Sequence, residues 1–208
     1  MKRSAILAAS LFAFVLAKSA SANVLYNQPS AGNGDGGYYS EANGPYQYND
    51  NFTLAGSGII TNVLWIGGSQ AGPVSSFGMS FFANNSGVPG TLLSTFNLSA
   101  TGTDLGPSGF GSEVYLYDSN IPAFSATGGT QYWISIFDYG TAGTYYWNQG
   151  TGGDGVGYDF GFGPVSYFDP AYTLFGSGGA ATPEPSSLVL AGSGILTLAG
   201  ALRRRIKR

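Results

Sequence analysis

Glycine spacing constrains this chain more than any other feature. Of 34 glycines, 31 fall in the 160 residues from 23 to 182, and no ten-residue run there carries a 3.6-residue apolar period. Glycine scattered this densely breaks helices. Alternation recurs in their place. Phe77, Met79 and Phe81 share one side of 76–83, and Leu92, Ser94, Phe96 and Leu98 share one side of 91–98. Val114 and Leu116 oppose Tyr115 and Tyr117. Tyr132, Ile134 and Ile136 oppose Trp133, Ser135 and Phe137, so both faces of that strand are covered. Further strands are predicted at 51–55, 59–66, 122–126, 143–147, 156–160 and 171–175. About ten short strands, divided by Gly, Pro, Asn and Ser turns such as 85–90, predict an all-β fold: an antiparallel β-sandwich of jelly-roll-like topology.

Charge is distributed as unevenly as glycine. The eight basic residues are Lys2, Arg3, Lys18, Arg203, Arg204, Arg205, Lys207 and Arg208. Residues 23–182 hold none of them, against eight Asp and two Glu. A body at −10 gains nothing from phosphates, which excludes nucleic acid as a partner. The chain also has no Cys and no His. Transition-metal and haem ligation, thiol nucleophiles and Ser-His-Asp catalysis are therefore excluded, and no catalytic residue is expected. The one enzymatic alternative is a carboxylate-pair glycosidase, drawing on Glu41, Glu113, Asp118, Asp138 and Asp169, which would need two of these to face each other across a cleft.

Both ends read as addresses. Lys2 and Arg3 precede an almost wholly apolar run at 4–17, and Ala20 and Ala22 supply the small residues of a cleavage site before Asn23. This is the three-part pattern of a secretory signal peptide over 1–22. At the other end, Pro183-Glu184-Pro185 precedes a charge-free run at 188–202. Counted from Ser186, that run makes about 25 Å of helix, enough for a single transmembrane helix at the short end of the range. Arg203, Arg204, Arg205, Lys207 and Arg208 follow as a cytoplasmic stop, placing the acidic body outside the inner membrane. The expected organisation is a signal peptide (1–22), a β-sandwich domain (23–179) and a C-terminal segment (180–208).

Pro-Glu-Pro-Ser-Ser, an apolar helix and an Arg-rich tail, in that order over 182–208, resemble the PEP-CTERM sorting signal of Gram-negative bacteria. The resemblance implies an exosortase substrate, cut at or near Pro183-Glu184-Pro185 after signal peptidase has acted at the other end. It also implies a setting of exopolysaccharide and biofilm, with the body anchored first in the inner membrane and then reaching the cell surface or extracellular matrix. The order of strand and turn pieces from Asp50 to Gly176 likewise resembles many secreted PEP-CTERM proteins of unassigned function, and brings no catalytic residues with it.

Two weaker signals lie in the body. Loops around Asp35 and around Asp154 and Asp159 are oxygen-rich, so they could hold a structural calcium, although Gly-Asp-Gly is also hairpin-turn chemistry. Tyr145, Tyr146 and Trp147 stand among polar and glycine neighbours and are candidates for stacking on sugar rings, although such residues also fill sandwich cores. No other cofactor is expected. The sequence therefore predicts an exported structural or adhesive partner of exopolysaccharide, with a carbohydrate-binding module as the alternative.

Overall fold

The computed structural model describes residues 23–32, 36–42, 46–108, 111–139 and 145–178. The signal peptide, the sorting segment and Asp35 lie outside the described residues. Alternation resolves into thirteen strands: β1 (Asn23–Gln28), β2 (Gly37–Tyr39), β3 (Tyr48–Thr53), β4 (Gly58–Ser69), β5 (Ser76–Asn85), β6 (Val88–Ser99), β7 (Thr103–Pro107), β8 (Glu113–Ala126), β9 (Gln131–Asp138), β10 (Tyr145–Asn148), β11 (Val156–Asp159), β12 (Gly163–Ser166) and β13 (Tyr172–Gly178). Among the described residues no helix is long and apolar enough to cross a membrane.

The strands form two antiparallel sheets. One carries the order β1-β13-β4-β10-β2, with β8 also pairing β4 and β7 pairing β8. The other runs β12-β11-β3-β9-β5-β6. Rings from the two sheets meet in one core, which is what makes the arrangement sandwich-like. Phe77 on β5 meets Trp65 on β4, Tyr117 on β8 and Tyr145 on β10, with ring centroids 5.1, 4.8 and 5.3 Å apart. Phe81 on β5 stacks on Phe124 on β8 at 4.2 Å and 11°. Phe52 on β3 reaches Tyr26 on β1 at 5.9 Å. Offset and edge-to-face pairs of this kind add about 0.5–1.5 kcal/mol each beyond the area they bury.

Local chemistry explains where strands turn and where they continue. Ser86 and Gly87 have φ of 55° and 87°, the backbone of a type I′ turn, whose twist suits a two-residue hairpin between β5 and β6. The Oδ1 of Asn84 accepts from the Gly87 N–H at 3.0 Å and closes it. The sequence reading places separate strands near 114–117 and 122–126, whereas β8 runs unbroken for 14 residues. Pro122 is accommodated because the β4–β8 register shifts between Ile60 and Asn62, so the proline falls in an irregularity that needs no ladder hydrogen bond. Strands β1, β2, β7 and β12 escaped the sequence reading: all four lie at sheet edges, and β2, β7 and β12 are only three to five residues long.

One glycine is fixed by close approach. A Cβ on Gly176 would lie 1.9 Å from the carbonyl oxygen of Ile59, a backbone atom that cannot rotate away. Gly87 has open space around it, so a Cβ there meets only the cost of a positive φ. Gly176→Ala should therefore destabilise the protein by about 2 kcal/mol or more, a fall of roughly 4–8 °C in Tm, against about 1 kcal/mol for Gly87→Ala. Thermal melts followed by circular dichroism check the order; equal losses would contradict it.

Candidate functional site

All three rings proposed for sugar stacking are buried: Tyr145 and Trp147 point into the core between the sheets, and Tyr146, alternating with them, lies on the other face of its sheet against Gly37, Gly68 and Tyr39. Tyr145, Tyr146 and Trp147 are 0%, 8% and 0% exposed, on a four-residue strand held between β4 and β2. Glycines on the neighbouring strands make the room: a Cβ on Gly67 would meet the Tyr145 ring at 2.4 Å, and one on Gly68 the Tyr146 ring at 2.0 Å. Trp147 donates from Nε1 to the carbonyl of Ala171 at 3.2 Å and lies against Tyr172. None of the three offers an open ring face to solvent, so the stacking assignment gives way to packing, in the core for Tyr145 and Trp147 and against strand glycines for Tyr146.

Exposed rings gather elsewhere, around the β11–β12 hairpin. The β11–β12 hairpin turns through Phe160-Gly161-Phe162, with Asp159 Oδ1 accepting from the Gly161 N–H at 2.7 Å. Phe160 and Phe162 are 46% and 72% exposed. Tyr46 stacks on Phe162 at 5.4 Å and 23°, and Tyr39 follows Tyr46 at 6.4 Å. Phe160 rests edge-on against Phe82 and Tyr158. Beyond β12, Tyr167 is 92% exposed at a φ of 70°, an unusual backbone for a bulky residue. A hint was present in the sequence: Tyr158-Asp159-Phe160-Gly161-Phe162-Gly163 alternates rings with turn residues, and rings at the tip of a turn have no strand to bury them.

The acids separate into distinct settings. Glu113 and Asp118 lie on β8 and are exposed, with Asp118 Oδ1 accepting from Asn62 Nδ2 at 2.6 Å. Glu41 and Asp138 form a parallel β-bridge, and both are buried. Asp154 precedes β11 and accepts from Asn51 Nδ2 through both oxygens at 3.1 Å, whereas buried Asp159 closes that strand's far end. The two calcium candidates within the described residues thus make separate local contacts. Among the described residues no three Asp, Glu, His or Cys side chains converge to hold a metal ion. Asp169 accepts from the Gly155 N–H at 2.9 and 3.0 Å; burial and the nearby Asp154 raise its pKa.

Beneath that loop lies Asp50 at 1% exposure. Its Oδ2 accepts from Gln28 Nε2 at 3.0 Å and from the Tyr172 hydroxyl at 2.9 Å. Gln28 also donates to the Pro170 carbonyl and accepts from the Tyr26 hydroxyl at 2.5 Å. Asp50 Oδ1 is buried with no hydrogen-bond partner. Burial pushes the Asp50 carboxyl well above the usual carboxylate range, and neither donor is a cation. With both donors on Oδ2, a proton is best carried on Oδ1. Burial, followed by the Asp50 charge, raises the Tyr172 and Tyr26 hydroxyls, which keeps both as donors.

An acid whose pKa is raised by folding binds its proton more tightly in the folded state. Its stabilising contribution is complete below the ordinary aspartate range and is lost as pH rises toward the folded value. The Tm should therefore fall as pH rises from about 4 to about 8, and Asp50→Asn, which cannot ionise, should flatten that slope and melt higher at neutral pH. Melts of both proteins across this range decide it; identical slopes would remove Asp50 as the source.

A family model for the PEP-CTERM protein-sorting motif matches residues 181–205. No curated protein and no solved structure matches the chain.

Proposed function

We propose, for a chain that carries a PEP-CTERM protein-sorting motif, the role of a non-enzymatic structural or adhesive protein associated with exopolysaccharide. Export by the signal peptide over 1–22, removal of that peptide by signal peptidase and processing by exosortase near Pro183-Glu184-Pro185 would bring the sandwich domain from the inner membrane to the cell surface or extracellular matrix. The observation that carries this reading is the sorting motif at 181–205. A body of residues 23–182 without Cys, His, Lys or Arg supports a role in association over one in catalysis. Successive strands pass repeatedly from one sheet to the other, which supports reading the sandwich as jelly-roll-like.

The exposed rings favour a second reading, that of a carbohydrate-binding module. Tyr39, Tyr46, Phe160 and Phe162 offer apolar faces of the kind that cover the C–H face of a sugar. The glycan is neutral on this reading, because the body has no cation to pair with uronate or phosphate groups.

Two experiments test these readings. Glu184→Gln in the producing cell should leave the 186–202 segment attached to the exported protein, detected by mass spectrometry; normal tail removal would argue against recognition of the tripeptide. Pull-down of the mature protein with the cell's own exopolysaccharide, with and without calcium, tests the partner. Saturable binding weakened roughly fivefold by Phe162→Ala or Tyr46→Ala, about 1 kcal/mol per ring, supports the module. Association that ignores both substitutions supports the adhesive coat, and none in either condition sinks both.

A further inference from the structure

Among the described residues the two sheets have six outer edges: β1, β2, β7, β12, β6 and the part of β8 beyond Leu116, which β7 leaves uncovered. All but β6 are defended against pairing with another chain, β8 by the exposed Asp118 and by Pro122 at its register shift. β2 spans three residues. β12 spans four and contains Pro164. β7 spans five, carries Asp104 and Pro107, and shifts register between Asp104 and Gly106. β1 is interrupted by a register shift between Val24 and Tyr26. Short strands, charges, prolines and bulges are the devices by which sheet edges avoid pairing with other chains.

β6 is different. It is 12 residues long, ends its sheet beside β5, and has no charged residue. Its first half is defended: Pro89 lies near the start, and the β5 register shifts opposite Leu92. From Ser94 to Ser99 the ladder is regular, each residue matched in turn against Phe81 to Ser76. Thr95, Asn97 and Ser99 face solvent on this stretch. Among the described residues no backbone hydrogen bond outside the β5 ladder engages 94–99. Six residues is an ordinary length for a paired strand.

Charge selects the occupant. Two copies of a body at −10 repel wherever their acids meet, yet residues 51–103, which include all of β4, β5 and β6, hold no charge at all. The one acid paired to β5, Asp138 opposite Phe77, is buried one strand further in. We propose that the Ser94–Ser99 edge pairs antiparallel with the same edge of a second copy of this chain, joining two six-stranded sheets into one continuous sheet across a two-fold axis. An isologous contact of this kind closes on itself, giving dimers and not fibres. Six residues of ladder make a weak contact in dilute solution and a stronger one where copies are held together on a surface.

The chain's lack of cysteine makes the test direct. Thr95→Cys, Asn97→Cys and Ser99→Cys are introduced singly into the full chain in detergent micelles, with Ser166→Cys, exposed on β12 at the opposite edge of the same sheet, as the reference. Under mild oxidation at least one of the three should form a disulfide-linked dimer about fivefold or more faster than the reference. Oxidation of all three at the reference rate overturns the proposal. A second arm uses Thr95→Glu with Asn97→Glu, which sets like charges across the axis and keeps an acceptor for the Tyr139 hydroxyl now held by Asn97. With near-ultraviolet circular dichroism unchanged, the dimer should dissociate at about tenfold higher protein concentration in sedimentation; an unchanged mass distribution counts against the edge. If the pair disturbs the fold, Asn97→Glu alone is read the same way.

Discussion

Contact between aromatic faces of opposed sheets is the interaction on which the rest of the protein depends. Residues 23–182 contain no Lys, Arg or Cys, so the domain can form neither internal side-chain ion pairs nor disulfides. Cohesion falls to burial and to rings. Phe77 alone touches three strands of the facing sheet through Trp65, Tyr117 and Tyr145, while Phe52, Phe81, Phe124 and Tyr132 form a second group along the same interface. The three tryptophans are fully buried. Trp65 and Trp147 lie between the sheets, and glycines make room for other rings, Gly67 for Tyr145, Gly157 for Tyr48 and Gly78 for Phe137, which gives the glycine content a packing role beyond turns.

The same missing cations shape the acids. A buried carboxylate elsewhere is commonly met by arginine or lysine. Here Asp50 is met by an amide and a phenol, Asp159 by a backbone N–H in its own turn, and Asp169 by the N–H of Gly155. Neutral donors leave part of the desolvation cost standing, and the pKa of Asp50 rises with it. At the surface the uncompensated charge keeps anionic partners away, so uncharged stretches become the places where contact is inexpensive: the rings around Phe162 and the free side of β6.

Much of the fold was legible because it rests on local alternation. The runs 76–83, 91–98, 132–137 and 171–175 lie within β5, β6, β9 and β13 apart from Ala171, and the 85–90 turn contains the Ser86-Gly87 bend. The candidate site was less legible, because burial of a given ring depends on partners far away in sequence. Tyr145, Tyr146 and Trp147 look like surface residues among their polar and glycine neighbours; Gly67 and Gly68, which accommodate two of them, lie almost eighty residues earlier. Nothing in their immediate neighbours marks Asn49, Asp50 and Asn51 for burial, yet all three are buried by contacts that reach Gln28, Asp154, Tyr158 and Tyr172. Phe160 and Phe162 are the opposite case, apolar residues left outside because a hairpin tip has no second sheet above it.

Strand β10 shows what ring-on-glycine packing does to alignment. Only three of its residues are matched to β4 and three to β2, too few for main-chain bonds to define its position strongly. The Tyr146 ring fits against Gly68 on one neighbour and Gly37 on the other, while Tyr145 fits over Gly67. Sliding β10 by two residues would keep its faces but drive these rings into strands that bear side chains, and sliding it by one would turn Tyr145 and Trp147 out of the core. The glycines act as notches and the tyrosines as teeth, so a strand of four residues clicks into a single position, and the alignment of its neighbours on both sides is indexed from it.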